Sequence, residues 1–86
     1  MTFRMNLQEI TPHVSRRMGA LEQAAHEACE TAGIEPALYE LVKTRASQIN
    51  GCAFCLDMHT KDARARGESE QRLYTLSAWR ETPFFS

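Results

Sequence analysis

Two cysteines and a histidine lie close together near the middle of this 86-residue chain. Cys52, Cys55 and His59 have the spacing Cys-x-x-Cys-x-x-x-His within the segment GCAFCLDMH. On an α-helix, which turns by about 100° per residue, these three side chains fall within about 60° of one another. Two thiols at this spacing can interconvert between dithiol and disulfide forms. The pattern therefore predicts a redox-active pair with a proton acceptor beside it.

The position of the helix end affects the chemistry of this pair. Asn50-Gly51 favours a tight left-handed turn, so we expect the next helix to begin at Cys52. Unpaired N–H groups at a helix N-terminus stabilise negative charge and so favour the thiolate, which is the nucleophile. By this argument Cys52, nearer the helix end, is the favoured thiolate. His59 follows Cys55 by one turn and can take up or return a proton, because imidazole changes charge near pH 7.

Glu40 lies on the preceding predicted helix, roughly opposite an apolar stripe that we expect to face the core. A solvated position is the usual interpretation of a lone glutamate on such a face. The helix with the cysteines, however, is apolar on two sides, which predicts that it is sandwiched between other elements. A carboxylate reaching a partly buried face of that helix could act as a base. The stripe opposite Glu40 consists of Leu38, Leu41, Val42 and Ile49.

Other roles for the cysteine pair fit the segment less well. Zinc could take cysteine, histidine and glutamate ligands, but structural zinc sites place a second ligand pair well away from a Cys-x-x-Cys knuckle. Covalent haem attachment needs Cys-x-x-Cys-His, and Leu56 stands in the histidine position. A thioredoxin-like site would need strands around the motif, and no period-two pattern is present. A dithiol pair therefore fits the segment better than a zinc, haem or thioredoxin-like site, and zinc remains the main alternative.

Helix-forming residues fill most positions between the turn signals, so the predicted fold class is all-α. Pro12 and Pro36 stand where helices begin, and Gly33 and Gly67 where they end. Loops of two to four residues predict antiparallel neighbours in a helical bundle. The four predicted helices run from about Pro12 to Ala32, from Pro36 to Ile49, from Cys52 to Gly67, and from a Ser69 cap to about Arg80.

Composition and charge limit the class of protein and its partners. Ten basic and eleven acidic residues in mixed order give a net charge of −1. We therefore expect no basic patch that would bind nucleic acid or an anionic membrane. No apolar run suggests export or membrane insertion, and an odd cysteine count argues against a disulfide framework, so we expect a cytoplasmic protein. A single domain over residues 1–86 has a thin core, and self-association is the expected support.

The segment ELVKTRASQINGCAFCLDMHTKDAR resembles the core of the AhpD-like alkylhydroperoxidases, within the wider carboxymuconolactone decarboxylase family. The signature of these proteins is Glu, eleven residues, Cys-x-x-Cys, three residues and His. Glu40, Cys52, Cys55 and His59 fit this spacing throughout. The resemblance is clear from about Leu38 to Phe85, with the core motif at 38–67.

The resemblance implies a peroxidase without haem, flavin or metal that reduces organic hydroperoxides. It assigns Cys55 as the cysteine that attacks the peroxide and Cys52 as the one that resolves the sulfenic acid into a disulfide. Glu40 and His59 would form the proton relay, and a dithiol or protein thiol would be the reductant. Relatives without the cysteines decarboxylate a lactone, so the presence of both argues against that activity. The alternative is a non-catalytic helical interaction subunit whose cysteine pair senses redox state or binds zinc.

Family members are usually longer, so we expect this chain to be incomplete at its C-terminus. The resemblance also implies that the chain forms a trimer or hexamer. Trp79, Phe84 and Phe85 are expected to be buried against a neighbouring subunit or further helices. Arg45, within the apolar stripe, is expected to extend its charge to solvent or to pair with a buried carboxylate. Three further expectations concern single residues or short sets. Cys29 is expected to be a buried packing residue on the apolar stripe of the first helix, and His13 and His26 are expected on the surface. The core or an interface is expected to hold Leu73, Tyr74, Leu76 and Trp79.

Overall fold

The computed structural model describes residues 6–85; the ends of the domain predicted over 1–86 lie outside this part. No strand occurs between residues 6 and 85, which confirms the all-α fold class. The short α1 was not predicted from the sequence. The helices are α1 (Leu7–Ile10), α2 (Pro12–Thr31), α3 (Pro36–Asn50), α4 (Ala53–Ala65) and α5 (Glu70–Thr75), followed by a 3₁₀ helix (Leu76–Glu81). None of the helices in the described part is long and apolar enough to span a bilayer.

The described residues form two compact units, one ending at Gly33 and one beginning at Ile34. In the first unit α1 packs against α2, and the apolar stripe expected on α2 is not buried. Met18 is 57% exposed and Leu21 is 71% exposed. Cys29 is only half-buried, so its expected burial is wrong. A helix buries an apolar stripe only against a second layer, and one turn of helix in α1 is too small to provide it.

The second unit holds the hydrophobic core and the α3–α4 pair. Leu41 on α3 and Ala63 on α4 are buried in this core, and Phe85 packs against it from the chain's end. Phe85 thus packs on its own chain, beside the guanidinium of Arg72, whose Cζ lies 5.0 Å from the ring centre. The remaining core residues are Leu73 and Leu76, as predicted.

Helix α3 buries the face opposite to most of the predicted stripe. Glu40, Thr44 and Ser47 are buried beside Leu41, so the solvated position considered for Glu40 is wrong. The hydroxyls of Thr44 and Ser47 each donate to the carbonyl oxygen four residues earlier, at 2.7 Å, which satisfies these buried polar groups within the helix. Most of the stripe itself is exposed, namely Leu38, Val42 and Ile49.

Helix α4 is less enclosed than its two apolar sides predicted. Ala63 is its only fully buried residue, and Phe54 is 77% exposed. The helix begins one residue later than expected because Cys52 is its N-cap. It ends at Ala65, before Gly67, which has a φ of 95° that glycine adopts without strain.

The predicted fourth helix divides into α5 and the 3₁₀ helix. Ser69 caps α5 as expected, since its Oγ accepts the Arg72 N–H at 3.2 Å. Non-helical angles at Ala78 (φ −119°, ψ 32°) interrupt the 3₁₀ segment, and this bend redirects the side chains that follow. Trp79, directly after the bend, is exposed rather than part of the core of this chain, and so is Tyr74 on α5 before it.

A surface ion pair links α4 to α5. The guanidinium of Arg64 donates two hydrogen bonds to the carboxylate of Glu70. This contact, followed by the hydrogen bond with Tyr74, lowers the pKa of Glu70, and Glu70 in turn raises the pKa of Tyr74. Because the carboxyl pKa is lowered on folding, the pair contributes stability above the ordinary carboxyl range and loses it as pH falls. The contribution is small, because all three groups are exposed.

Candidate functional site

The turn before α4 brings the two cysteines together. Gly51 has left-handed backbone angles (φ 66°, ψ 32°), and the Cys52 N–H donates to the Ser47 carbonyl at 3.1 Å. These contacts end α3 at Asn50, and α4 begins at Ala53. Cys52 and Cys55 are joined as a disulfide, with their Cα atoms 5.3 Å apart. Cys29 is not part of a disulfide.

The Cys52 sulfur is also the cap of α4. Its Sγ accepts the backbone N–H of Cys55 at 3.2 Å. A thiolate at this position would accept the same N–H and face the positive end of the helix dipole. The structure thus agrees with the sequence-based argument that the helix N-terminus stabilises the thiolate of Cys52 more than that of Cys55. Both cysteines are half-buried, so an incoming reagent can reach them.

Glu40 and His59 meet across the α3–α4 contact. Glu40 Oε2 lies 2.9 Å from His59 Nδ1, and the side chains are 7% and 16% exposed. An ionised carboxylate only accepts hydrogen bonds, so Nδ1 must carry the hydrogen that joins the pair. In a neutral ring, Nε2 is then free of hydrogen and can accept a proton. The four residues singled out from the sequence therefore form two contacts, the disulfide on α4 and a carboxylate–imidazole pair one turn further along it.

Arg66 belongs to the same cluster and was missed in the sequence. Its Nε lies 3.7 Å from Glu40 Oε1, the carboxylate oxygen that does not meet His59. A signal was present, because Arg66 follows His59 by seven residues, or two helical turns, and so lies on the same side of α4. The expected helix end at Gly67 would have placed it in the last turn.

Asp62 extends the cluster toward solvent. Glu40, His59 and Asp62 present ligand atoms within 4.8 Å of one another, a spacing that could accommodate a cation. The Glu40 carboxylate, however, already adjoins the positive charge of Arg66. A metal ion would have to compete with that guanidinium, so we do not assign a metal to this cluster.

Arg45, whose role the sequence left open, does not pair with a carboxylate among the contacts that the structure shows for it. Its Nη1 donates to Gln48 Oε1 at 3.0 Å, one turn along α3. The side chain also lines an apolar groove of about 500 Å³ beside Val42 and Trp79. Arg45 therefore lies at the rim of this groove, away from the Glu40 face.

Comparisons with known proteins agree with this fold and this motif. The model of the carboxymuconolactone decarboxylase family matches residues 12–86. The uncharacterised protein YdfG of Bacillus subtilis is 45% identical over 86 residues, which are all of this chain and 56% of that protein. The alkyl hydroperoxide reductase AhpD of Acidobacterium capsulatum is 45% identical over 40 residues, which are 46% of this chain and 22% of that protein.

A solved structure shares the fold. The crystal structure of ATU0492 from Agrobacterium tumefaciens, described as a protein of unknown function and a candidate AhpD antioxidant defence protein, superposes with a TM-score of 0.80. It is 40% identical, and the match covers 99% of this chain and 56% of that one. The chain therefore belongs to the carboxymuconolactone decarboxylase family and has an AhpD-like all-α fold. It spans little more than half the length of YdfG and of ATU0492.

Proposed function

We propose that this chain supplies the dithiol centre of a thiol-dependent peroxidase that reduces organic hydroperoxides. The observation that carries the proposal is the joint presence of a Cys52–Cys55 disulfide at a helix N-terminus and, one turn further along that helix, His59 paired with the buried Glu40 of α3. The first group stores two electrons, and the second moves protons. Membership of a family that includes AhpD proteins supports the same chemistry.

The proposed cycle begins with the reduced pair. The Cys55 thiolate attacks the terminal oxygen of the hydroperoxide, the O–O bond breaks, and the departing alkoxide takes a proton to become an alcohol. Cys55 is now a sulfenic acid. The Cys52 thiolate attacks its sulfur and expels the hydroxyl group, which takes a proton to leave as water, and the disulfide closes. An external dithiol then returns two electrons and two protons, is itself oxidised to a disulfide, and restores both thiols.

The proton transfers are assigned to Glu40 and His59. His59 Nε2 takes the proton of a thiol, and the Glu40 carboxylate 2.9 Å from Nδ1 stabilises the imidazolium that results. The same ring returns the proton to a departing oxygen. Neither step needs a metal or an organic cofactor.

A stoichiometric oxidation tests this function. Fully reduced protein mixed with one equivalent of an organic hydroperoxide is expected to form one equivalent of alcohol and to lose two of its three thiols. Proteolysis and mass spectrometry should show Cys52 linked to Cys55 and Cys29 still open to alkylation, because only the first two share a helix face. A Cys29→Ser variant is the control and should behave as the wild type. A main product linked through Cys29, or the absence of alcohol, would contradict the peroxidase function and favour the redox-sensor alternative.

Self-association is a second part of the proposal. The groove of about 500 Å³ is bordered by the apolar side of α3, the 3₁₀ helix and Phe85. Two apolar side chains in its wall are exposed to solvent, Val42 by 61% and Trp79 by 40%. Exposed apolar area of this kind marks an interaction surface. We therefore expect a homo-oligomer, and the family resemblance implies a trimer or a hexamer.

Light scattering of Val42→Asp tests this interface. The wild type is expected to have a mass several times 9.8 kDa, and the variant to dissociate, because a charge in a buried apolar contact is unfavourable by several kcal/mol (on the order of 2 to 4). Ile34→Asp is the matched control, since Ile34 is 40% exposed and does not line the groove. A wild-type monomer at micromolar concentration would contradict the prediction.

A further inference from the structure

Helix α4 has an apolar patch beside the disulfide that the proposed cycle does not use. Phe54, between the two cysteines in the chain, is 77% exposed, and Met58 one turn later is also exposed. Side chains four residues apart on a helix are neighbours, so these two form one surface, the Phe54/Met58 patch. Exposed apolar area next to a reactive group is a candidate binding surface.

The patch adjoins the sulfur that attacks the peroxide in the proposed cycle. Met58 follows Cys55 by three residues, and helical side chains lean toward the N-terminus, which brings Met58 over the turn that holds Cys55. Around α4, at about 100° per residue and within an arc of about 140°, the order is Phe54, Met58, Cys55 and His59. Cys55 therefore lies between an apolar patch and the imidazole that transfers protons.

A surface ion pair borders the patch on its other side. Lys61 Nζ lies 3.0 Å from the Asp57 carboxylate, and both side chains are well exposed. The apolar surface is thus limited to the width of two side chains, between this pair and Cys55. That width suits a small hydrocarbon group better than the face of a second helix.

The chemistry at Cys55 brings the carbon group of a hydroperoxide into this region. The attacked oxygen has to lie about 3 to 3.5 Å from the sulfur before reaction. The first carbon follows two covalent bonds later, which places it about 5 to 6 Å from the sulfur. Side chains one turn apart on a helix have the same spacing between their Cβ atoms, about 5 to 6 Å. Hydrogen peroxide has no carbon group and cannot make this contact.

We propose that Phe54 and Met58 are specificity-determining residues, which bind the hydrocarbon group of an organic hydroperoxide while its O–O bond lies over Cys55. The contact selects aryl and branched alkyl hydroperoxides over hydrogen peroxide, because only the former remove apolar area from water. Its effect on rates rests on the proposed peroxidase function, whereas binding of a hydrocarbon to the patch does not require turnover.

Single-turnover oxidation of the reduced protein measures the preference as the ratio of the rate constants for cumene hydroperoxide and hydrogen peroxide. Phe54→Ala and Met58→Gln should each lower this ratio about five- to tenfold, with the rate for hydrogen peroxide nearly unchanged. Phe54→Leu, which stays apolar, should retain most of the preference. Tyr74→Ala is the matched control, because Tyr74 is also aromatic and is 71% exposed on α5. It should leave the ratio unchanged.

A titration with the product alcohol is independent of turnover. Cumyl alcohol is added to the disulfide form, and ¹H–¹³C NMR follows the Phe54 ring, the Met58 methyl group and the Tyr74 ring. We expect concentration-dependent shift changes at the first two and none at Tyr74. In Phe54→Ala the changes at Met58 should weaken severalfold.

The outcomes separate this proposal from the proposed function. Absence of turnover in the wild type overturns the proposed function, and the titration then decides the role of the patch by itself. An unchanged ratio in folded Phe54→Ala and Met58→Gln, or an equal fall of both rate constants, overturns the specificity role. No shift changes at the patch overturn it as well. A lower mass of Phe54→Ala in light scattering, with an unchanged ratio, would identify the patch as an interface between copies instead.

Discussion

Replacement of Cys55 by serine is expected to abolish hydroperoxide reduction, with a loss of at least about a thousandfold in turnover. Serine has nearly the same shape, but its hydroxyl is not ionised at neutral pH and is a far weaker nucleophile toward peroxide oxygen. Cys55 is half-buried on the first turn of α4, so the substitution should leave the fold intact. The measurement is steady-state alcohol formation with an excess of a small dithiol, and Cys29→Ser is the matched control.

Cys52→Ser should differ from Cys55→Ser, and the difference shows which cysteine attacks the peroxide and which one closes the disulfide. With the resolving thiol removed, Cys55 can still react once, and its sulfenic acid should be trapped by a carbon nucleophile and detected by mass. The backbone points to the opposite order, since Cys52 Sγ accepts the Cys55 N–H at 3.2 Å and is favoured as the anion. A sulfenic acid on Cys52 in the Cys55→Ser variant would reverse our assignment of the two roles.

Glu40→Gln and His59→Ala are each expected to slow peroxide reduction by roughly ten- to ten-thousandfold, the range for losing a general acid or base. The glutamine keeps the size of Glu40 but removes the charge that stabilises the His59 imidazolium. Alanine at 59 removes the ring that transfers the proton. Single-turnover oxidation of the reduced protein by a hydroperoxide measures both effects on the chemical step.

Glu68→Gln provides the control for this experiment. Glu68 is also a buried carboxylate paired with an arginine, since its side chain is 5% exposed and its Oε1 lies 3.4 Å from Arg72 Nε. The substitution removes the same charge from a comparable environment without touching His59. We expect a rate within about twofold of the wild type, with circular dichroism confirming the fold of all three variants. Equal losses in Glu40→Gln and Glu68→Gln would show a general effect of buried charge and would remove Glu40 from the relay.

The arrangement on α4 was predictable because it depends on neighbours in the chain. The turn at Gly51 and the N-cap at Cys52 follow from local backbone preferences. Helical periodicity then places Cys55 and His59 on one face, whatever packs around them. The all-α class follows in the same way from propensity and turn residues.

The role of α3 depended on packing, and periodicity alone gave the wrong face. Glu40, Thr44 and Ser47 are buried because hydroxyl groups bonded to the helix backbone let α4 approach closely. Val42 and Ile49, which the stripe predicted to be inside, remain exposed in the single chain. A hydrophobic stripe shows that a surface has to be covered, but not whether its own chain or another one covers it.

The sequence by itself determined the three longest helices, the Cys-x-x-Cys pair at a helix start and the histidine one turn later, because each of these depends on contacts within a few residues. Only the tertiary structure decided that Glu40 meets His59 across nineteen positions of sequence, and that Arg66 adjoins the other oxygen of the same carboxylate. Contacts between helices depend on the side chains that allow two axes to approach. Here those side chains are small and polar, so a pattern of apolar residues could not reveal them.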